Sequence, residues 1–457
     1  MDLLKSLKSS YKSDFSLNIG KLITATILSQ VIILGTTPLL TRIYSSEDFG
    51  IFGLFSSTIA ILSTITTLRY ESSIVMAESE EEAKSLLFLC LTLVILTTFI
   101  IFVVVGFIFL SFPSLFYVRE LGTSLFLIPV TLLFSGFAQA FNGLKNRNKE
   151  YLLIGLSSVT KATGSSSLKL GLTFFISPNE LILVVGNLIG FICELLVLSF
   201  QTISNGMYNT RKKLYKNTVF HIMGIKKIFR KYSDFPRYNL PSVLLNSISL
   251  EIPVLMLGLF FSISVLGHYF LSYNIMRVPS LFLGLAISQV FYQKAATINK
   301  EELGSLVEKL FFILTLVGAP SIIFIGVFGE ELFVTIFGSH WRGAGRFSSY
   351  LAPMIVFSFC AGAISQVFII TKRQNFLLYS NLSHLVNRII MIWIGGIFFK
   401  SADIAIILFS ISSTSLGFLF LIYLFRSINA QKKYLLFFLL YYFLSFIFFT
   451  SLHSMLF

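Results

Sequence analysis

The 457-residue chain is 55% hydrophobic, only 12% charged and basic overall, with a formal net charge of +14 and a mean hydropathy of +0.84. So little polar surface excludes a water-soluble protein of this length, and leaves the bilayer as its solvent. The basic residues sit in loops between apolar runs, which argues against a nucleic-acid partner and gives the positive-inside pattern of a membrane protein.

The N-terminal MDLLKSLKSSYKSDF is polar and the first apolar run is long enough to span, so no cleavable signal peptide is expected. Apolar runs of spanning length fall at about 15–41, 49–68, 86–112, 121–143, 150–175, 177–201, 238–261, 265–290, 306–329, 346–370, 376–398, 402–425 and 434–456. Each approaches the roughly 20 residues a helix needs to cross hydrocarbon. Lipid permits only helices or closed barrels, and continuous apolar runs lack a barrel's alternation. The expected fold is an all-α polytopic membrane protein.

With the N-terminus inside, cytoplasmic segments hold 25 Lys and Arg, and the other side holds five: Arg42, Arg119, Arg342, Arg346 and Lys400. That bias sets the orientation, and the acidic run Glu78 to Glu82 counts little against it. Thirteen spans put the C-terminus outside; the last, Tyr434 to Leu456, reads alternatively as a peripheral addition to a twelve-helix core. The longest outward loop, Glu330 to Phe347, is too short to form a separate domain.

Midway, Arg211 to Pro241 carries nine Lys or Arg against one acid, Asp234. It reads as a cytoplasmic hinge between two halves. Ile222, Ile225 and Phe229 follow helical spacing, with Lys226, Lys227, Arg230 and Lys231 between them. This fits either a helix lying on the anionic inner leaflet or a solvated basic loop.

The turn after the first span, Leu40 to Phe52, matches the turn after the seventh, Leu257 to Tyr269, at a constant offset of 217. Tyr44-Ser45, Phe49-Gly50 and Phe52 align with Phe261-Ser262, Leu266-Gly267 and Tyr269. A parallel repeat about an axis along the membrane normal is implied. The expected division is an N-lobe at 1–203, a basic connector at 204–236, a C-lobe at 237–425 and an additional span at 426–457.

No catalytic constellation, glycine-rich phosphate loop or metal spacing is present, and no cofactor or metal is expected. Cys90, Cys193 and Cys360 read as small buried hydrophobes. The informative residues are ionisable groups inside spans, which are costly there. They are Lys21, Lys161, Lys169, Arg277 and Arg388, with Glu251 the clearest acid. Five bases to one acid suggest a cavity for an anion. Snorkelling of Lys21 and Lys161, and a packing ion pair of Arg277 with Glu251, are the plainer readings. Lys161 and Lys169 lie eight apart, about 80° off one helix face, near the small polar run Thr160–Ser167. Arg69, Tyr70 and Glu71 follow the second span at its inner end. Pro129, Pro253, Pro279, Pro320 and Pro353 interrupt spans and offer bending points.

Several motifs together resemble the polysaccharide branch of the multidrug/oligosaccharidyl-lipid/polysaccharide (MOP) superfamily, in particular O-antigen (Wzx-type) flippases. They are Pro38 to Gly50, Thr67 to Glu71, Tyr232 to Pro236 with Asn239 and Pro241, Gly267 to Tyr269 followed by Pro279 and Gly284, and Phe337-Gly338 with Trp341, Ala344, Gly345 and Pro353. The resemblance implies two six-helix lobes related by a pseudo-twofold along the membrane normal (MOP/MATE-like), plus one extra C-terminal span. It implies transfer of undecaprenyl-diphosphate-linked O-antigen or polysaccharide units across the bacterial inner membrane by a non-enzymatic transporter. Arg277, Lys161, Lys169, Arg69, Arg388 and Lys21 would bind the anionic lipid-linked oligosaccharide. Glu71 or Glu251 would couple a proton or sodium gradient. Glycan polymerase and glycosyltransferase partners are expected. The rival readings are a MATE-like cation or drug antiporter and a polytopic glycan polymerase or ligase.

Overall fold

The computed structural model describes residues 14–210, 228–280, 300–365, 367–371 and 373–456. The readings placed on Phe220 to Lys227, and the second half of the span expected at 265–290, lie outside the described residues. Among the described residues the chain is helical, with no strand. Among the described residues, nine helices are long and apolar enough to cross a membrane. The described parts of the other expected spans are mainly helical. Ser46–Ser63, Tyr151–Gly171 and Arg342–Ile364 carry more polar or charged residues, and Ile263–Met276 is described for only 14 residues.

The chain divides into two compact units. The first comprises residues up to Ile43 together with Leu54–Ser247. Its helices are α1 (Asp14–Ile43), most of α2 (Ser46–Ser63), the single turn α3 (Glu71–Ile74), α4 (Glu80–Ser111), α5 (Phe116–Leu121), α6 (Leu127–Arg147), α7 (Tyr151–Gly171) and α8 (Glu180–Thr210). Ser79 caps α4 by accepting from the Glu82 amide, and Glu80, Glu81 and Glu82 occupy its first turn, where negative charge suits the helix dipole. The lipid-facing side of α4 leaves Phe99, Phe102, Phe107 and Leu110 about half exposed or more, which only hydrocarbon tolerates.

The basic connector ends in this unit. Tyr232 packs into the cluster built on Tyr70, Ile74, Leu86 and Leu144, and the Tyr70 hydroxyl donates to the Phe229 carbonyl at 3.0 Å. The Lys231 ammonium bridges Glu82 at 2.7 Å and Glu78 at 3.0 Å, and those hydrogen bonds hold its pKa above the ordinary lysine range. Two separate motifs, Thr67 to Glu71 and Tyr232 to Asn239, therefore meet here.

The second unit comprises Tyr44–Gly53 and Ile248–Phe457. It contains most of α9 (Leu240–Phe260), α10 (Ile263–Met276), α11 (Lys300–Val327), α12 (Gly329–Phe337), α13 (Arg342–Ile364), α14 (Val367–Ile370), α15 (Gln374–Ile394), α16 (Ala402–Ser427) and α17 (Lys433–Leu456). Phe311 and Phe357 pack on Phe438 with ring centroids 5.3 Å and 4.8 Å away, so the extra C-terminal helix belongs to this core.

The repeated turns pack on each other inside this unit, with reciprocal contacts. Gly50 lies against the Ile263 carbonyl, and Gly267 lies against the Ser46 carbonyl. Since Gly267 is 217 residues from Gly50, and Ile263 is 217 from Ser46, the two contacts are copies of one another, as a twofold requires. The caps repeat as well. The Ser45 hydroxyl accepts from the Asp48 amide at 3.1 Å, and that of Ser262 accepts from the Val265 amide at 3.4 Å. Trp341, fully buried, closes the crossing against Phe49 and His268, with centroids at 5.0 Å and 5.5 Å.

Candidate functional site

The first unit holds a cleft of about 340 Å³ walled by α6, α7, α8 and the turn that ends in α3. Its polar lining includes Arg69, Glu71, Gln139, Asn142, Asn146, Lys161 and Glu194, with Phe191 beside them. Such a lining inside an apolar bundle is expensive unless a polar ligand or water meets it.

The Arg69 side is made by a strained turn. Helix α2 stops at Ser63 and residues 64–70 turn, where the sequence suggested helix to 68. Leu68 and Arg69 take φ values of 49° and 66°, left-handed conformations that cost non-glycine residues on the order of 1–3 kcal/mol each. The contacts that hold them are specific. Leu68 packs on the Tyr70 cluster, Arg69 Nε donates to Asn239 Oδ1 at 3.0 Å, and its guanidinium pairs with Glu71 at 2.8 Å. The Glu71 carboxylate is buried and also accepts from the hydroxyls of Thr67 and Ser72. Gly143 lets α6 approach this turn, since a Cβ there would sit 2.6 Å from the Glu71 carbonyl oxygen.

The Lys161 side follows from a ridge on each of two antiparallel helices. Lys161, Ser165 and Lys169 lie four apart on α7; Gly186, Gly190 and Glu194 lie four apart on α8. The ridges run against each other in register. Lys169 packs over Gly186, Ser165 meets Gly190, and Lys161 meets Glu194 with a 2.9 Å ion pair. Small residues at the crossing let the backbones close up, a usual device between membrane helices. Both lysines thus face α8, despite the 80° offset the spacing alone implied. The Lys161 ammonium also sits 3.6 Å from the centroid of the Phe191 ring.

The remaining expected site residues lie elsewhere. Lys21 is exposed on α1, and it is not in the cleft lining. Lys169 is buried on the same α7–α8 interface but outside the lining. Arg388, Arg277 and Glu251 belong to the second unit, which also holds the fully buried Tyr269. Arg277 lies 5.1 Å from the Tyr273 ring, which stacks on Tyr269 at 5.7 Å. Arg388 is buried and donates to Ser249. Two units therefore carry two separate charged groups.

One expectation needs correction. The count of five bases to one acid at membrane depth becomes five to two, because Glu194 lies within the apolar stretch Glu180–Phe200 and pairs with Lys161. Reasoning from sequence passed over Glu194, Gln139, Asn142 and Asn146. The signal was available for Glu194: it is the lone charge between residues 181 and 200. Among the described residues no group of three or more His, Cys, Asp or Glu could hold a metal ion.

A family profile described as polysaccharide biosynthesis protein matches residues 39–345, about two thirds of the chain. The chain belongs to that family. The teichuronic acid biosynthesis protein TuaB of Bacillus subtilis (strain 168) is 29% identical over 146 residues, which cover 31% of this chain and 29% of TuaB. Among solved structures, the lipid II flippase MurJ in an inward closed conformation is similar with a TM-score of 0.65 at 15% identity, over 95% of this chain and 93% of that one. An inward-facing multidrug resistance MATE transporter of the MOP superfamily gives a TM-score of 0.58 at 16% identity, over 88% and 96%. These likenesses show the MOP-type fold expected from the motifs. Family and fold make the chain a multi-pass membrane protein of a polysaccharide biosynthesis family, with the fold of those transporters.

Proposed function

We propose that the chain is a flippase that moves undecaprenyl-diphosphate-linked O-antigen or polysaccharide repeat units from the inner to the outer leaflet of the bacterial inner membrane. The observation that carries this reading is the polar cleft of the first unit, where Arg69 and Lys161 stand beside the amides of Gln139, Asn142 and Asn146 and the Phe191 ring. The cations suit a diphosphate, the amides suit sugar hydroxyls, and an aromatic face suits a pyranose ring. Such groups substitute for hydration that the glycan loses on leaving water, while the prenyl tail remains in lipid. The family match supports the polysaccharide class, and TuaB is by its name a protein of teichuronic acid biosynthesis.

No nucleotide motif is present in the sequence, so an ion gradient, of protons or sodium, drives alternating access. The 25-to-five distribution of Lys and Arg supports a cytoplasmic N-terminus. Glycosyltransferases that build the unit and a polymerase that extends it are the natural partners. A drug exporter for organic cations needs carboxylates open to the ligand, whereas Glu71 and Glu194 are both held by cations.

Deletion of the gene is the direct test. Single lipid-linked units accumulate on the inner leaflet and surface glycan is lost. Accumulation of full-length polymer at the inner leaflet, or unchanged surface glycan, contradicts the reading.

A further inference from the structure

The cleft presents two cations, and each already has an anion. Arg69 pairs with Glu71 at 2.8 Å and Lys161 with Glu194 at 2.9 Å. The two pairs leave the cleft close to neutral.

The two carboxylates are held very differently. Glu71 is buried and bound by Arg69, Thr67 and Ser72, and its backbone is pressed against Gly143. It is built in. Glu194 meets one charged partner among the described residues, the Lys161 ammonium, and its side chain, 14% exposed against 10% for Glu71, also lines the cleft. The Lys161 ammonium has a second support in the Phe191 ring at 3.6 Å, so it remains in place when its carboxylate leaves.

We infer that Glu194 is a displaceable counter-anion: the substrate diphosphate takes Lys161 from Glu194. This rests on the flippase reading above. One anionic oxygen of the diphosphate replaces one carboxylate oxygen at Lys161, and the freed carboxylate turns into the polar cleft. The register of the α7 and α8 ridges is what places Glu194 opposite Lys161, so the device belongs to the fold of the first unit alone.

The test measures binding of farnesyl diphosphate to the purified full-length protein in detergent micelles. Glu194→Gln removes the competitor at similar shape and tightens binding about tenfold. Lys161→Gln weakens it, and the double variant matches Lys161→Gln, because Glu194 acts only through Lys161. Glu194→Asp shortens the reach and gives a smaller tightening, which serves if Glu194→Gln melts early. Wild-type binding with no tightening in either Glu194 variant overturns the inference, as does tightening that persists without Lys161. Failure of the wild type to bind the probe overturns the flippase reading itself, and the inference with it.

Discussion

Arg388 on α15 donates to the main-chain carbonyl of Ser249 on α9, the one carbonyl that Pro253 leaves without its helical partner. Proline lacks the amide hydrogen that would bond four residues back, and in lipid a bare carbonyl has no water to turn to. Arg388 also reaches the Ser249 hydroxyl at 3.2 Å and lies 5.8 Å from the Phe409 ring. A residue expected to bind substrate thus has a structural task. Arg388→Leu should cost about 1–3 kcal/mol, the price of an unmet buried acceptor. Pro253→Ala returns the missing amide, so the double variant should lose clearly less than the single. Thermal melting of the four proteins in detergent checks this, and additive losses would show that the two residues are not coupled.

The same logic recurs at the C-terminal helix. Pro320 in α11 frees the Leu316 carbonyl, and the Tyr441 hydroxyl on α17 donates to it at 3.3 Å. Tyr441→Phe keeps the ring against Phe437 and removes only the donor. A loss of about 1 kcal/mol is expected in the same melting assay. No loss would mean that lipid headgroups or neighbouring groups serve that carbonyl instead.

The reciprocal glycine crossing is the part of the fold least tolerant of a methyl group. Gly267→Ala drives its Cβ into the Ser46 carbonyl and toward Gly50 N, 3.0 Å away. Backbone cannot yield as a side chain can, so a loss at or above the 1–3 kcal/mol of ordinary overpacking is expected. Gly35→Ala, with nothing within 4 Å, should be neutral or stabilising by up to about 1 kcal/mol through helix propensity. Abundance and melting of the two variants report the contrast, and equal behaviour would contradict the close crossing.

The helices and the repeat were legible because lipid enforces both. Long apolar runs have one hydrogen-bonding solution, and the Phe49-Gly50 and Leu266-Gly267 pairs mark the same crossing twice. The motifs Thr67 to Glu71 and Tyr232 to Asn239 were visible, but not that Arg69 bonds Asn239 across 170 residues. The left-handed Leu68 and Arg69 were also hidden, since leucine and arginine give no turn signal. Glu194 was missed for a related reason. Its partner is 33 positions away and faces it only through the α7–α8 register. The acceptor of Arg388, a proline-freed carbonyl, is likewise invisible until α9 and α15 pack.

In the cleft, Asn142→Leu and Asn146→Leu each remove an amide without touching either ion pair. Surface glycan display should fall severalfold, by loss of about 1–2 kcal/mol of sugar contact, while protein abundance holds. Unchanged display in both would remove the amide wall from the account.

The central claim is that the cleft of the first unit carries the anionic headgroup. Proteoliposomes containing the full chain, loaded with an undecaprenyl-diphosphate-linked oligosaccharide, measure it most directly. Arg69→Ala and Lys161→Ala are each expected to slow movement between leaflets at least tenfold at matched protein content. Wild-type rates in both variants would contradict the account.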